Sequence, residues 1–136
     1  MSFLLDTNIV SEVRKPHGDP DVKAWIAAID DDGLYLSVLV LGEIRRGIEL
    51  LRRRDPDQAA VLDAWLSELR REFADRVVPV TLDVAEEWGR LNAQDPLPLI
   101  DSLMAATAKV HGWTFVSRNT AGLEAIGVRL LNPFRR

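Results

Sequence analysis

The sequence predicts an α/β fold with a mainly parallel sheet of about five strands flanked by helices. Short apolar runs recur along the whole chain, and segments with apolar residues at helical spacing separate them. Strands joined in this way lie parallel, with right-handed crossovers. Ligands bind open sheets of this kind beyond the carboxyl ends of the strands. The residues that directly follow each strand are therefore the first place to look for function.

The first third of the chain predicts two strands with a helix between them. Residues 3–5 are a continuous apolar run, which is typical of a strand buried on both faces. Asp19 followed by Pro20 marks a helix start, with a capping side chain before a proline. The acidic stretch 30–33 should end this helix early, because acids are unfavourable near a helix C-terminus. Residues 34–36 then indicate a second strand.

Two helices and a strand are predicted in the middle of the chain. Ser37 can cap a long amphipathic helix over 38–54, and the Asp-Pro pair at 55–56 breaks it. A second apolar stripe predicts another helix that ends near Ala74. Residues 77–80 predict a third strand. Its proline favours a sheet edge or a strand end, since proline cannot donate to a strand ladder.

The last third predicts two helices followed by shorter elements. Asp83 with Glu86 makes a capping box for one helix, and the proline-rich stretch 95–98 ends it. The proline at 98 can start the next helix, which runs to Val110 and is closed by Gly112. The remaining elements are a strand, a short helix and a final strand, over 113–116, 120–126 and 128–131.

Composition bounds the class of protein. The 136 residues fit a single domain over 1–136, and 47% hydrophobic with 28% charged residues is ordinary for a globular chain. The chain has no cysteine, which excludes disulfides, a thiolate nucleophile and cysteine-based metal sites. It shows no signal peptide and no apolar run near the ~20 residues that span a membrane. We therefore expect a cytoplasmic protein.

The charge is uneven along the chain. Lys and Arg total 17 against 21 Asp and Glu, a net charge of −4, and that sum would be unusual for a nucleic-acid-binding domain. The excess acid lies in residues 1–37, which carry seven acids and three bases. Arginines are concentrated over 45–71, where acids balance them, so most should lie on solvated helix faces.

Asp6 directly follows the first predicted strand, at the edge where a ligand would bind. A buried strand that ends in a carboxylate invites explanation, because an unpaired buried carboxylate is costly. Asn8 lies two residues further on and could orient Asp6 or a ligand. The alternative is that Asp6 caps the next helix, with Thr7 or Asn8 sharing that role. Spacing alone leaves both interpretations open.

Glu43 and Asp101 are the other two acids that stand out by position. Glu43 lies within the long helix one turn from Gly47, whose missing side chain would let another group approach. Its alternative role is a solvent-facing residue paired with a neighbouring arginine. Asp101 lies in the first turn of its helix, on a face of small and apolar residues that can pack against a sheet. Its alternative role is an ordinary helix-start acid.

Together these acids would offer oxygen ligands from a strand end, a helix and a helix start. Hard divalent cations such as Mg²⁺ and Mn²⁺ take such ligands and often retain several waters. Metals of this kind generate hydroxide and stabilise the charge of an in-line phosphoryl transition state. Such chemistry requires no side-chain nucleophile.

Five sequence blocks occur in order along nearly the whole chain: LLDTN at 4–8, GEIRRGI at 42–48, IDSLMAATA at 100–108, VSRN at 116–119 and LNPF at 131–134. With these blocks the chain resembles the PIN-domain ribonucleases, and within them the VapC/FitB-type toxins of type II toxin–antitoxin modules. The resemblance implies a PIN-like three-layer sandwich and a Mg²⁺- or Mn²⁺-dependent endoribonuclease. It also implies an RNA substrate, a VapB-like antitoxin that occludes the site, and a homodimer.

The resemblance assigns roles by motif. Asp6, Glu43 and Asp101 match the family's three acidic positions, which implies that Asp6 and Asp101 bind the metal. Glu43 would complete the cluster or position the attacking water. The supporting or substrate-binding residues would be Thr7, Asn8, Ser117, Arg118 and Asn119. Of these, Arg118 adjoins the site and could contact phosphate.

Two motifs depart from the family pattern. Many relatives have a fourth acid where this chain has Asn119, and an Asp-Phe pair where it has Gly122 and Leu123. The departures bear on a second metal more than on the first, because Asn119 can still coordinate through its carbonyl or hydrogen-bond a ligating water. A catalytically inactive PIN-like binding module is therefore one alternative. A receiver-like signalling domain is another, but it would need an acid within 77–81 and a lysine within 117–119, and neither is present.

Overall fold

A five-stranded parallel sheet forms the centre of the computed structural model, which describes residues 1–93 and 96–134. In chain order the strands are β1 (Phe3–Leu5), β2 (Leu34–Ser37), β3 (Val77–Val78), β4 (Thr114–Val116) and β5 (Leu130–Leu131). They lie side by side in the order β3-β2-β1-β4-β5, and each neighbouring pair is parallel. The predicted α/β fold with a parallel sheet is confirmed.

Six α-helices flank this sheet within the described part of the chain. They are α1 (Thr7–Arg14), α2 (Pro20–Ala27), α3 (Val38–Arg52), α4 (Pro56–Glu72), α5 (Leu82–Asn92) and α6 (Leu99–His111). The pair α3 and α4 packs together, as does the pair α5 and α6, and α6 also contacts β1 and β4. The apolar stripes of the helices thus meet the buried strands in one core.

The central position of β1 determines where a site can form. Leu4 and Leu5 are fully buried, and β1 pairs with β2 on one side and with β4 on the other. The strand order therefore reverses beside β1, and such a switch point opens a crevice at the carboxyl ends of the strands. Asp6 follows β1 and Ser117 follows β4, so both lie at this crevice.

Local capping explains most of the helix boundaries. The Ser37 hydroxyl accepts a hydrogen bond from the Leu39 N–H at 3.0 Å and starts α3, as predicted. The Asp19 carboxylate caps α2 by accepting from the N–H groups of Asp21 and Val22. At the end of α6, Gly112 adopts a φ of 74°, the left-handed conformation that glycine allows.

The start of α5 contradicts the sequence prediction. The predicted capping box of Asp83 and Glu86 is wrong, because Thr81 is the cap and its hydroxyl accepts from the Val84 N–H at 3.2 Å. Asp83 instead lies in the first turn of the helix, where the helix dipole favours its charge. Because Thr81 accepts from the Val84 N–H, α5 begins at Leu82 and Asp83 is already inside the helix.

Several other boundaries differ from the prediction. The long helix ends at Arg52 rather than at 54. The helix predicted over 120–126 is reduced to a 3-10 turn at Glu124–Ile126, because glycines with positive φ precede and follow it. Asp95, in the predicted break at 95–98, lies outside the described residues. As its proline predicts, β3 occupies a sheet edge.

Among the described helices, none is both long and apolar enough to cross a membrane.

Candidate active site

Asp6 is both a helix cap and a buried carboxylate at the sheet crevice. Its backbone N–H donates to the Val116 carbonyl at 2.9 Å, which continues the pairing of β1 with β4. Its side chain accepts from the Thr7 N–H at 2.7 Å and so caps α1. Only 3% of Asp6 is exposed. The capping role that the sequence left as an alternative is therefore present, and it holds the carboxylate in place rather than excluding a further role.

Two side chains from opposite ends of the sequence orient the other oxygen of Asp6. The Ser117 hydroxyl donates to Asp6 Oδ2 at 2.6 Å, and the Asn8 side-chain amide donates to the same oxygen at 3.3 Å. Asn8 in turn accepts from the Arg118 N–H at 3.2 Å. The Asn119 N–H donates to Ser117 Oγ at 2.9 Å. These bonds lock the loop after β4 onto the start of α1.

Glu43 reaches the same region from α3. The Thr7 hydroxyl donates to Glu43 Oε1 at 2.5 Å, so the first residue of α1 contacts two of the three acids. Glu43 forms no ion pair with the described residues, which removes the alternative of a surface glutamate paired with an arginine. Gly47 is exposed, and no atom of the described chain lies where its side chain would be. The space beside Glu43 is therefore open.

Asp101 lies in the first turn of α6 and is half-buried. The same face continues through Met104, Ala105 and Ala108, which are fully buried, as the sequence predicts. This packing brings the start of α6 to the carboxyl edge of the sheet. Asp101 thus faces the crevice from a third element.

The electrostatics of the three acids show that they share one environment. Burial raises the pKa of Asp6 to about 6; the hydrogen bonds from Ser117 and Thr7 oppose this rise, and the charges of Asp101 and Glu43 add to it. Burial also raises the pKa of Asp101, and the charge of Glu43 raises it further. The three carboxylates therefore repel one another, and within the described residues no Lys, Arg or His forms an ion pair with any of them.

The donor set fits a hydrated divalent cation. A buried group of oxygen ligands with negative charge and no protein cation is the chemistry that Mg²⁺ or Mn²⁺ binds. As they stand, no three Asp, Glu, His or Cys side chains of the described chain lie close enough to enclose an ion. An ion held by one or two carboxylates and several waters is consistent with that spacing, because Mg²⁺ dehydrates reluctantly.

Sequence reasoning missed two residues that complete this edge. Asn132 donates to the Arg118 carbonyl at 3.4 Å, and the Phe134 ring lies 4.5 Å from the Arg118 guanidinium carbon. Their position after β5 could have indicated them, since the carboxyl ends of parallel strands share one edge. The side chain of Asn119, where many relatives have an acid, makes no hydrogen bond with the described residues.

A cavity of about 660 Å³ has other residues than the three acids as its lining. Its walls come from α1, α2, α4 and the strands, with Trp65, Phe73 and Arg14 among the lining residues. It contains none of the three carboxylates, so its size carries no information about the chemistry at the crevice.

Comparison with known proteins gives a consistent result. Residues 3–128 match the PIN domain family. VapC ribonuclease Y4jK of Sinorhizobium fredii is 34% identical over an alignment of 140 positions, which covers 97% of this chain and 97% of the relative. Toxin FitB of Neisseria gonorrhoeae is 31% identical over an alignment of 138 positions, which covers 97% of this chain and 98% of the relative. The crystal structure of FitAcB from Neisseria gonorrhoeae has a TM-score of 0.90 at 30% identity, covering 98% of this chain and 99% of that one.

Proposed function

This chain belongs to the PIN-domain family, and from that premise we propose that it is a divalent-metal-dependent endoribonuclease, the toxin of a type II toxin–antitoxin module. The observation that carries the proposal is the uncompensated group of Asp6, Glu43 and Asp101 at the switch point of the sheet. The names of the relatives, a ribonuclease and a toxin, support the choice of RNA as substrate.

Asp6 and Asp101 would hold the metal: burial raises the pKa of each carboxyl, and neighbouring carboxylates raise it further. A bound Mg²⁺ or Mn²⁺ would supply charge stabilisation at the phosphate and an acidified water. Glu43, which Thr7 orients, completes the carboxylate group or positions the attacking water. No side chain of the chain needs to form a covalent intermediate.

The residues around the acids act by orientation. Ser117 and Asn8 donate hydrogen bonds to Asp6 Oδ2 and so fix the orientation of this carboxylate. Residues that hydrogen-bond a metal ligand commonly act in this way. Asn119 offers a neutral carbonyl in place of a fourth acid, which favours one metal over two. Arg118 is exposed beside them and supplies a positive charge for the substrate.

The partners follow from the same premise. We propose that a VapB-like antitoxin covers the crevice, that the toxin forms a homodimer, and that it acts on RNA in the cytoplasm as a single domain over residues 1–136. The relative named as a toxin supports the antitoxin partner.

A catalytically inactive PIN-like binding module is the second candidate. Two observations favour it: Asn119 replaces an acid, and no three acids of the described chain enclose an ion without water. This candidate predicts RNA binding without cleavage, so one assay separates the two.

The deciding experiment is RNA cleavage with Mn²⁺ and with EDTA. A mixture of ribosomal and transfer RNA should be cut in Mn²⁺ and left intact in EDTA. Asp101→Asn should lower the rate by about 100-fold or more, because it removes a charge that the reaction needs. The matched control is Asp83→Asn, which makes the same chemical change at an exposed acid of α5 and should leave the rate unchanged.

Thermal unfolding gives an independent readout. Mn²⁺ at about 100 times its Kd should stabilise the parent and the Asp83→Asn variant by about 2.7 kcal/mol, and should have little effect on Asp101→Asn. Full cleavage in EDTA would contradict the metal dependence. Stabilisation by Mn²⁺ without any cleavage would favour the inactive binding module.

A further inference from the structure

The loop after β4 and the end of the chain after β5 meet at the rim of the crevice. Arg118 is tied at both ends of its backbone: its N–H donates to Asn8 at 3.2 Å, and its carbonyl accepts from Asn132 at 3.4 Å. Asn8 and the preceding residue, Ser117, both contact Asp6. The backbone of Arg118 is therefore held at a defined place relative to the buried carboxylate.

The side chain of Arg118 is held as well, yet its donors are free. Its guanidinium carbon lies 4.5 Å from the centre of the Phe134 ring, a cation–π contact. Within the described chain, no atom accepts a hydrogen bond from its guanidinium nitrogens. In contrast, the guanidinium groups of several other arginines are already engaged by carboxylates or carbonyls: Arg45, Arg52, Arg71, Arg76, Arg90 and Arg129.

We propose that Arg118 binds an RNA phosphate at the rim of the site, and that Phe134 and Asn132 are positioning residues that hold it there. This proposal rests on the proposed ribonuclease function. The acids of the crevice repel the phosphates of an RNA strand, so the strand needs a cation beside them. A guanidinium presents its N–H donors in one plane, which suits a phosphate. Packing on the Phe134 ring reduces the conformational freedom of the Arg118 side chain, so less entropy is lost when the side chain binds phosphate.

Arg14 provides a matched comparison. Its guanidinium carbon lies 5.4 Å from the centre of the Trp65 ring, so it also makes a cation–π contact. It lines the separate cavity, which none of the three acids lines. An arginine packs on an aromatic ring three times in the described chain, at Arg14, Arg76 and Arg118. Of these three, only Arg118 is hydrogen-bonded to a residue that contacts Asp6.

The first test is the salt dependence of RNA binding. Binding of a fluorescent single-stranded RNA of mixed sequence is measured over a range of salt concentrations, in an Asp101→Asn background that keeps the RNA intact. Arg118→Gln should weaken binding about tenfold, the loss expected for a charge-assisted contact. It should also reduce the steepness of the log–log salt plot by about 0.7, the value for one phosphate contact on a single strand. Arg14→Gln should change neither quantity.

The second test is the coupling of Phe134 to Arg118. Phe134→Leu should weaken binding about threefold, in the range of an exposed cation–π contact, and Phe134→Trp should bind like the parent. In the double variant with Arg118→Gln, the Phe134→Leu change should have no additional effect, because the group it positions is gone. In the otherwise unchanged chain, Phe134→Leu should raise KM and leave kcat nearly unchanged.

The outcomes separate this inference from the proposed function. An Arg118→Gln variant with the parent's salt slope would overturn the phosphate contact. Equal losses from Phe134→Leu with and without Arg118 would overturn the positioning role. Unfolding midpoints of every variant show whether a loss comes from unfolding, and Phe134→Trp keeps the test valid if the leucine variant is unstable. A parent that binds RNA with the expected slope but does not cut it in Mn²⁺ would contradict the proposed function alone.

Discussion

Helix α3 carries one glutamate in each of two acidic groups that behave in opposite ways. Glu43, near its start, belongs to the crevice group with Asp6 and Asp101. Glu49, less than two turns later, belongs to a network on the α3–α4 surface with Asp63 and two arginines. In this network Arg45 bonds both oxygens of Asp63, at 3.0 and 3.1 Å, and Arg52 joins Asp63 to Glu49.

The two groups differ in what compensates their charge. Hydrogen bonds from Arg52 and Arg45 lower the pKa values of Glu49 and Asp63 respectively. Burial and neighbouring carboxylates raise those of Asp6 and Asp101 instead. Arginines thus neutralise the acids of the surface network, whereas no Lys, Arg or His of the described chain pairs with Asp6 or Asp101. The difference teaches that the surface network joins two helices with balanced charge, whereas the crevice gathers carboxylates whose charge no described cation offsets.

The largest expected effect that sharpens this comparison is a pH-dependent gain in stability. The free energy of unfolding of Asp6→Asn, relative to that of the metal-free parent, should be about 2 kcal/mol higher near pH 7.5 than near pH 4.5. The unfolded carboxyl loses its proton around pH 3.8, while the folded one keeps it until about pH 6. The parent therefore loses stability as the pH rises through this window, and the uncharged amide does not. The amide also has one acceptor oxygen instead of two, and the comparison of two pH values removes this contribution.

Urea unfolding in EDTA at both pH values measures this gain. Asp83→Asn, an amide substitution at an exposed acid, is the control and should show no comparable gain. A stability difference between Asp6→Asn and the parent that does not change with pH would show that the buried charge is compensated after all. Asp63→Asn should show the opposite sign, because the lowered pKa of Asp63 contributes stability that is present above its unfolded value and lost as the pH falls.

Most of the fold could be predicted from the sequence because it depends on local patterns. The apolar run at Phe3–Leu5, the caps Asp19 and Ser37, and Gly112 each act within a few residues, and each appears as predicted. The wrong prediction at the start of α5 is also local. Two capping patterns overlap there, and the helix uses Thr81 rather than Asp83 as its cap. The placement of Asp6 at the crevice followed from strand–helix alternation alone.

The supporting contacts of the site could not be predicted in the same way. Ser117 and Asp6 are separated by 111 positions, and Thr7 and Glu43 by 36. No periodicity links side chains at such separations. Only the resemblance in motif brought Ser117 into the site, and its bond to Asp6 Oδ2 becomes visible only when β1 and β4 lie side by side.

An intermediate effect is expected from the hydroxyl that orients Asp6. Ser117→Ala should weaken Mn²⁺ binding about 10- to 100-fold, the range for residues that support a metal ligand. Because the bond from Ser117 lowers the pKa of Asp6, its loss should also shift the acid limb of the pH–rate profile to higher pH. Mn²⁺ titrations followed by thermal unfolding, together with RNA cleavage over a pH series, measure both effects.

Thr107→Val is the matched control for this change. It removes a buried hydroxyl that donates only to the Leu103 carbonyl within α6, at 2.8 Å. Metal affinity and the pH profile should stay the same in this variant. If Ser117→Ala kept the parent's Mn²⁺ affinity, the proposed role of the hydroxyl in orienting Asp6 for metal binding would be wrong.

The smallest effect belongs to the surface network. Asp63→Asn removes the charge that Arg45 and Arg52 share, but all of these side chains are well exposed, so water and salt already screen the interaction. The unfolding midpoint should fall by about 1–3 °C at low salt, and the difference from the parent should vanish at high salt. Asp57→Asn removes an acid of the same helix that has no ion pair in the described chain, and only its interaction with the helix dipole is lost. Its salt dependence should be smaller than that of Asp63→Asn. RNA cleavage in Mn²⁺ should be unchanged, because these acids bind arginines rather than metal. A loss of cleavage in Asp63→Asn would mean that the ion pairs of Asp63 affect the position of Glu43 through α3. The two acidic groups would then act together.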